Sequence, residues 1–540
     1  MRQTKKILFI IPPYFDIQSY SSKEHTAQRP VFTIPYGVLS LAAYIKEYSK
    51  DNIQVEIIDL NLETVRLLDV NKMIEIEIQS FIQSKMNSFK PDIVGISALF
   101  NTCYNYLDIV SDSVKKTDPN VLIVIGGGLA TNLYREILDN FEYIDACCYG
   151  EGEIPLCELL NTENVNEYFA SSVSWVTKEK LNEMQIPQHT FVQNLDEIPF
   201  FDYNLIDLNN YVGRSLDKSY SNRSLREVSI HTSRGCPFNC VFCANGSVHG
   251  KNVRYMSVEK VINEVERMVN EYDMEILLIE DDHFFSKKDR AKKILKGLSE
   301  LNLKIEFPNG LAVYAIDEEI GELLNKAGVK TISLAVESGS DFILKNVINK
   351  PHKVSMIEPA VEILRKNAVS IHAFIVIGLP GELEEHRQET MQMIFNVGFD
   401  WVLFYLAVPI AGSRLYEICQ ENDYLTSLDF SQYVNTKANI KTPDIDPEYI
   451  EEQVYLMNLE ANFIKNFNLK AGNFEKASMF FKKITERYPD HAFAHFYLAK
   501  SYEGMGENNE AILFHMNRFS EIVKSEARWE HYASIFKLTA

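Results

Sequence analysis

At 540 residues, 46% of them hydrophobic, the chain is too long for one ordinary core, and a prior of ~150 residues per domain suggests three or four packed units. Its 75 acidic residues outnumber its 54 basic ones for a formal charge of −21, which opposes a free polynucleotide partner. No apolar stretch approaches the ~18 residues of a membrane span. The run Ile7 to Ile11, closed by Pro12 and Pro13, is shorter than the ~7 to 15 residues of a secretory core.

From Ile7 to Leu160 short apolar runs alternate with helical patterns: Ile7 to Ile11, Val55 to Asp59, Asp92 to Ser97, Leu122 to Gly126 and Tyr143 to Gly150. Continuous apolar runs mark buried parallel strands, so residues 1–160 read as a Rossmann-like, doubly wound α/β domain. Ligands of such sheets sit where strands end. There the chain places Ser97 and Leu99, then Gly126, Gly127 and Gly128, then Gly150, Glu151 and Glu153. Glycines after strands let a backbone approach a bulky ligand, with tight turns as the competing explanation.

Periodicity dissolves over residues 161–222, which read as a connector. A second alternating series fills residues 223–442, with apolar runs beginning near Val228, Ile276, Ile305, Ile332, Ile371 and Val402. Between the first two, Val258, Val261, Ile262, Val265, Met268 and Val269 form a helical stripe behind Ser257, an expected N-cap. Six β/α units predict a partial (β/α)6 barrel with its chemistry at the strand ends. Those ends carry Cys236 to Cys243, Glu280-Asp281-Asp282, Asn309, Glu337, Gly378 and Pro409, and Asp281, Asp282 and Tyr405 are expected to face the mouth.

Residues 443–540 read as an all-α region. Gly472 and Gly506, and Ala477 and Ala511, recur at 34 residues, with Phe481 and Pro489 at further consensus places. That period resembles tetratricopeptide repeats, which stack paired helices into a groove. A second reading is a helical tail with coincidental glycines, because His515 and Val523 depart from the consensus. About 3 repeats are needed for independent stability, so two predict packing against the barrel or another subunit.

The densest chemical signal is His231-Thr-Ser-Arg-Gly-Cys236-Pro-Phe-Asn-Cys240-Val-Phe242-Cys243. Three thiolates on one short loop suit a soft metal centre, and an iron-sulfur cluster held by three of its usual four ligands keeps one iron open. A structural zinc using His231 or His249 as fourth ligand, or three unrelated buried thiols, satisfies the count as well. The eight cysteines form no disulfide-like framework, and an exposed low-potential cluster needs a reducing compartment, so the cytoplasm is expected.

The Cys-x-x-x-Cys-x-aromatic-Cys spacing resembles the radical S-adenosylmethionine (SAM) superfamily. Across roughly residues 1–440 the architecture resembles its cobalamin-binding members, a class containing methyltransferases and an oxidative cyclase. The resemblance implies that Cys236, Cys240 and Cys243 hold a 4Fe-4S cluster whose open iron chelates SAM. It implies a SAM site at Phe242, Glu337, Val376 and Gly378, with a barrel salt bridge as the alternative for Glu337. It implies cobalamin against Ser97, Leu99, Gly126, Gly127, Gly128, Gly150 and Glu151.

The histidine motif that supplies a lower cobalt ligand in many such domains is missing. After the first strand the chain reads Asp16-Ile-Gln-Ser-Tyr-Ser21, and His25 is off-pattern.

The function implied is reductive SAM cleavage, with methylation of an unactivated carbon as the leading outcome. Radical cyclisation, rearrangement or oxidation is the alternative within the class. A tetratricopeptide-type binding module with a structural metal is the alternative outside it. The implied partners are a small-molecule, carrier-borne or peptide-borne substrate, a reductant such as a flavodoxin or ferredoxin, and a protein at the helical tail.

Overall fold

The computed structural model describes residues 4–15, 32–68, 74–211, 225–506 and 509–538. The stretch Asp16 to Ser21 and His25 lie outside them. β1 (Thr4–Ile11), β2 (Asn52–Asp59), β3 (Ile93–Ser97), β4 (Leu122–Gly126), β5 (Ala146–Cys148) and β6 (Trp175–Val176) form one sheet in the order β2-β1-β3-β4-β5-β6. The first five are parallel and β6 runs antiparallel to β5. Ile7, Leu8, Phe9 and Ile10 are all buried because helices cover both faces of β1. The strand order reverses between β1 and β3, which opens a crevice at their C-terminal ends.

The connector is less detached than its irregular sequence suggests. Its Trp175 and Val176 complete the first sheet, and Val192, Leu195, Ile198, Phe201 and Tyr203 are buried in the core of the next unit.

That unit contains β7 (Glu227–Ile230), β10 (Ile276–Ile279) and β11 (Lys304–Glu306) as one parallel trio. A second trio is β12 (Thr331–Glu337), β13 (Ser370–Ile377) and β14 (Trp401–Leu406). Leu311 joins them by bonding both Ser333 and Ala335 of β12 through its backbone, so the six expected strands form one open barrel. Ser257 caps the helix Val258–Tyr272 by accepting from Lys260 N, and Val261, Val265 and Met268 turn into the core as their spacing predicts. Between β7 and β10 lies a small ladder the periodicity did not mark, β8 (Ser233–Arg234) against β9 (Arg254–Tyr255). It closes the base of the cysteine loop.

The tail is helical, with Phe474–Arg487, Ala492–Met505, Asn509–Ser525 and Ala527–Ile535 packed in succession. Gly472 precedes the helix Phe474–Arg487 with φ +76°, and Gly506 ends the helix Ala492–Met505 with φ +71°. Ala477 and Phe481 are fully buried, whereas Ala511 is only half-buried. The helix Pro447–Leu459 leads into this array and sends Ile450 and Met457 into the barrel core, so the tail docks on the barrel.

Candidate active site

The cysteine loop is held from three sides. Cys236 N donates to Gly250 O, Val241 N to Ile348 O, and Gly235 N to Asp282 Oδ2 at 3.1 Å. Gly235 has φ +95°, and a Cβ there would lie 2.7 Å from Asn252 O, so the turn into the first cysteine requires glycine. Phe238 packs its ring against His283 and Tyr314, whose hydroxyl lies 2.6 Å from His283 Nε2. Burial keeps His283 neutral, its pKa lowered to about 4 with Lys350 adding to the effect.

Burial raises the pKa of all three thiols, and they act electrostatically on one another. Lys350 opposes that rise at each of them, so iron must displace protons on binding. The donor chemistry fits a cluster, because the two histidines available for zinc are engaged elsewhere. His249 Nδ1 lies 2.7 Å from Glu151 Oε1 and His231 Nε2 lies 3.6 Å from Glu280 Oε2. Among the described residues no three His, Cys, Asp or Glu side chains converge on a single-ion position. Sulfurs spaced around a multi-iron cluster have no need to.

Phe242 and Val376 fall in one apolar cluster with Cys240 and Val241. Gly378 follows β13 with φ +87°, and its N–H donates to Glu382 Oε2 at 2.7 Å. Glu337 sits at the end of β12 with φ +66°, and Lys350 Nζ lies 2.6 Å from its Oε1. The salt-bridged carboxylate weighed for Glu337 is therefore present, beside the cysteines. Lys350 itself gave no sequence signal.

Asp281 departs from expectation. It does not face the mouth: it is buried and accepts hydrogen bonds from Thr232 N, Thr232 Oγ1 and Ser233 Oγ, which fixes the start of the cysteine loop. Asp282 holds Gly235, and Tyr405 packs edge-on to Phe374 within the barrel.

A cavity of about 430 Å³ joins the two α/β units. Ser97, Leu99, Gly126, Gly127, Gly128, Gly150 and Glu151 all line it on one side, and His231, Arg234, Glu280 and Asn309 on the other. Gly127 has φ +103°, and a Cβ there would meet Ala98 O at 2.5 Å, so this wall is backbone by necessity. Leu99 and Phe100 are 57% and 40% exposed at the rim, as suits residues that a large apolar ligand would cover. A glycine-lined cradle of this kind fits a corrinoid. Tyr14, Asp59 and Cys103 also line it and were not singled out in the sequence.

Gly150 and Glu151 have further partners. A Cβ on Gly150 would lie 2.6 Å from the His189 ring, so the glycine also admits the connector. Glu151 is engaged by Arg254, Arg234 and His249. Burial opposes its charge, but Arg234, then hydrogen bonds from Arg254 and His249, hold its carboxyl well below the usual range.

Residues 230–394 match the model of the radical SAM superfamily, and residues 26–160 that of the B12 binding domain. The chain is 28% identical over 449 residues to an uncharacterized methyltransferase, PH0819, of Pyrococcus horikoshii, spanning 83% of this chain and 90% of that one. It is also 28% identical over 420 residues to the cytidylyl-2-hydroxyethylphosphonate methyltransferase of Streptomyces wedmorensis, spanning 71% and 76%. Its fold superimposes on the radical SAM methyltransferase TsrM of Kitasatospora setae, solved with cobalamin and a [4Fe-4S] cluster, with TM-score 0.58 at 14% identity over 97% of this chain and all of that one. The chain thus carries a radical SAM domain and a B12-binding domain, whose cofactors are a 4Fe-4S cluster, SAM and cobalamin.

Proposed function

We propose that the chain is a cobalamin-dependent radical SAM methyltransferase acting on an unactivated carbon. The observation that carries this reading is the single cavity lined by the glycine-rich strand ends of the B12-binding domain and by the barrel mouth. When bound, the cluster supplies the electron that cleaves SAM into methionine and a carbon radical, and the corrinoid supplies the methyl-transfer chemistry.

The protein's own part is to bind, orient and exclude water. Cys236, Cys240 and Cys243 hold the cluster through sulfur and leave one coordination place for SAM. Phe242 and Val376 offer the adenine an apolar wall, and the turn at Gly378 lets backbone approach it. The Lys350 and Glu337 pair presents one charge of each sign beside the cysteines, matching the charges of an amino-acid moiety. Ser97, Leu99 and the glycines Gly126, Gly127, Gly128 and Gly150 cradle the corrinoid, while Tyr14, Tyr36 and Phe100 keep its surroundings apolar. No protein nucleophile is required.

The electron comes from a flavodoxin- or ferredoxin-class carrier in the cytoplasm. The helical tail, read as tetratricopeptide-like, offers a surface for a protein-borne substrate.

The test uses protein loaded anaerobically with iron, sulfide and cobalamin and supplied with SAM and dithionite. Both S-adenosylhomocysteine and 5′-deoxyadenosine are expected, the former lost when cobalamin is omitted. Formation of 5′-deoxyadenosine alone, whatever the cobalamin content, overturns methylation in favour of another radical reaction.

A further inference from the structure

Four charged side chains meet where the B12-binding domain touches the cysteine loop. Arg234 Nη1 lies 2.8 Å from Glu153 Oε1 and 3.2 Å from Glu151 Oε2, and Nη2 donates to Ser40 Oγ at 3.1 Å. Arg254 grips both oxygens of Glu151, at 2.8 and 2.6 Å. The four side chains are only 3–6% exposed. Ser40 Oγ in turn donates to Glu153 Oε1 at 2.6 Å, which adds the helix Tyr36–Tyr48 to the group.

The position of this network is more informative than its strength. Arg234 and Arg254 are direct partners on the β8–β9 ladder. Like charges set opposite one another are unfavourable, and here they are reconciled by Glu151, which both arginines reach, and by Glu153 on Arg234, both carboxylates coming from the other domain. Buried ion pairs are weak evidence for stability, because apolar residues of similar volume often serve as well. What bidentate pairs add is a fixed distance and angle. Here the bidentate pair is Arg254 with Glu151, which lines the corrinoid cavity, and Arg234, two residues from Cys236, ties into it by placing Nη1 between Glu151 and Glu153 and Nη2 on Ser40.

We propose that Arg234 is a positioning residue that, through Glu151 and Glu153, fixes the separation between the cluster and the cobalt. The inference rests on the cofactor assignment above and is independent of whether methyl transfer follows. A substrate carbon must face the radical source and then the methyl donor within one cavity, so a shift of ~1 Å in this separation is costly.

Both centres are paramagnetic when the cluster is reduced and the corrinoid is cob(II)alamin, so pulsed electron paramagnetic resonance reads their separation without any substrate. Wild-type protein loaded with both is expected to give one narrow distance distribution. In Arg234→Gln the distribution broadens about twofold, as loosening on the ~1 Å scale would produce, and in Arg234→Lys, which keeps the charge, it broadens less. Unchanged distributions in Arg234→Gln with both centres loaded overturn the proposal, whatever the stability change. Should Arg234→Gln lose either centre, Glu153→Gln is read instead: broadening supports the proposal and a wild-type distribution overturns it.

Discussion

Asn462 holds both backbone groups of Val402: Val402 N donates to Asn462 Oδ1 at 2.8 Å and Asn462 Nδ2 donates to Val402 O at 2.7 Å. A side-chain amide thus stands in for a neighbouring strand at the outer edge of β14, where an open barrel would otherwise present unpaired backbone. Trp401 stacks on Phe480 at 5.5 Å, and Asn468 Nδ2 donates to Asp400 Oδ1 at 3.0 Å, beside the same edge.

Removing the tail is therefore expected to unfold or aggregate the barrel, and a truncation after Pro443 does not isolate a substrate-delivery role. The cleaner variant is Asn462→Leu, which keeps the volume but orphans two backbone groups at a cost of about 1–3 kcal/mol each. Thermal unfolding should show a lower midpoint with cluster content unchanged.

Gly127 tests the corrinoid wall. In Gly127→Ala the left-handed backbone and the clash with Ala98 O impose strain of order 1–3 kcal/mol. Cobalamin affinity, followed by visible absorbance, should fall about tenfold, while iron and sulfide content stay at wild-type levels.

Lys350 tests the electrostatics of the cysteine site. The cation opposes the pKa rise of all three thiols, and net charge near a cluster sets its potential. Lys350→Met should shift the midpoint potential negative by on the order of 50 mV, close to the 59 mV that corresponds to tenfold for one electron. A titration monitored by paramagnetic resonance measures it.

The tail carries a pH signature. His495 Nδ1 and His515 Nδ1 lie 2.8 Å apart, and His495 Nε2 donates to Pro489 O. Burial lowers both pKa values, that of His515 to about 4, so the folded pair is neutral. The unfolded chain protonates near pH 6.5. Stability is thus complete above about pH 6.5 and lost as pH falls toward 4, where the slope ends. The unfolding midpoint should drop between pH 7 and pH 5, and His515→Gln should flatten that drop.

The parallel strands of the first sheet and of the barrel were legible because buried parallel strands leave unbroken apolar runs, and the cysteine loop because its spacing is chemically specific, whereas the two-residue, antiparallel β6 within the connector was not. The ladder of Ser233 and Arg234 with Arg254 and Tyr255 was not, since two-residue strands have no period. Lys350 and Arg234 were missed for a related reason: each acts through a partner distant in sequence, Glu337 or Glu151. Asp281 was misplaced at the mouth because a strand-end acid reads the same whether it faces a ligand or ties down a loop.

The most direct test of the central claim is the resonance spectrum of anaerobically reconstituted, dithionite-reduced protein before and after SAM is added. The account predicts a reduced 4Fe-4S signal that changes when SAM binds the open iron, and its loss in Cys240→Ala. A protein that takes up one zinc per chain and gives no iron-sulfur signal, or a Cys240→Ala variant with signal and SAM response intact, would contradict it.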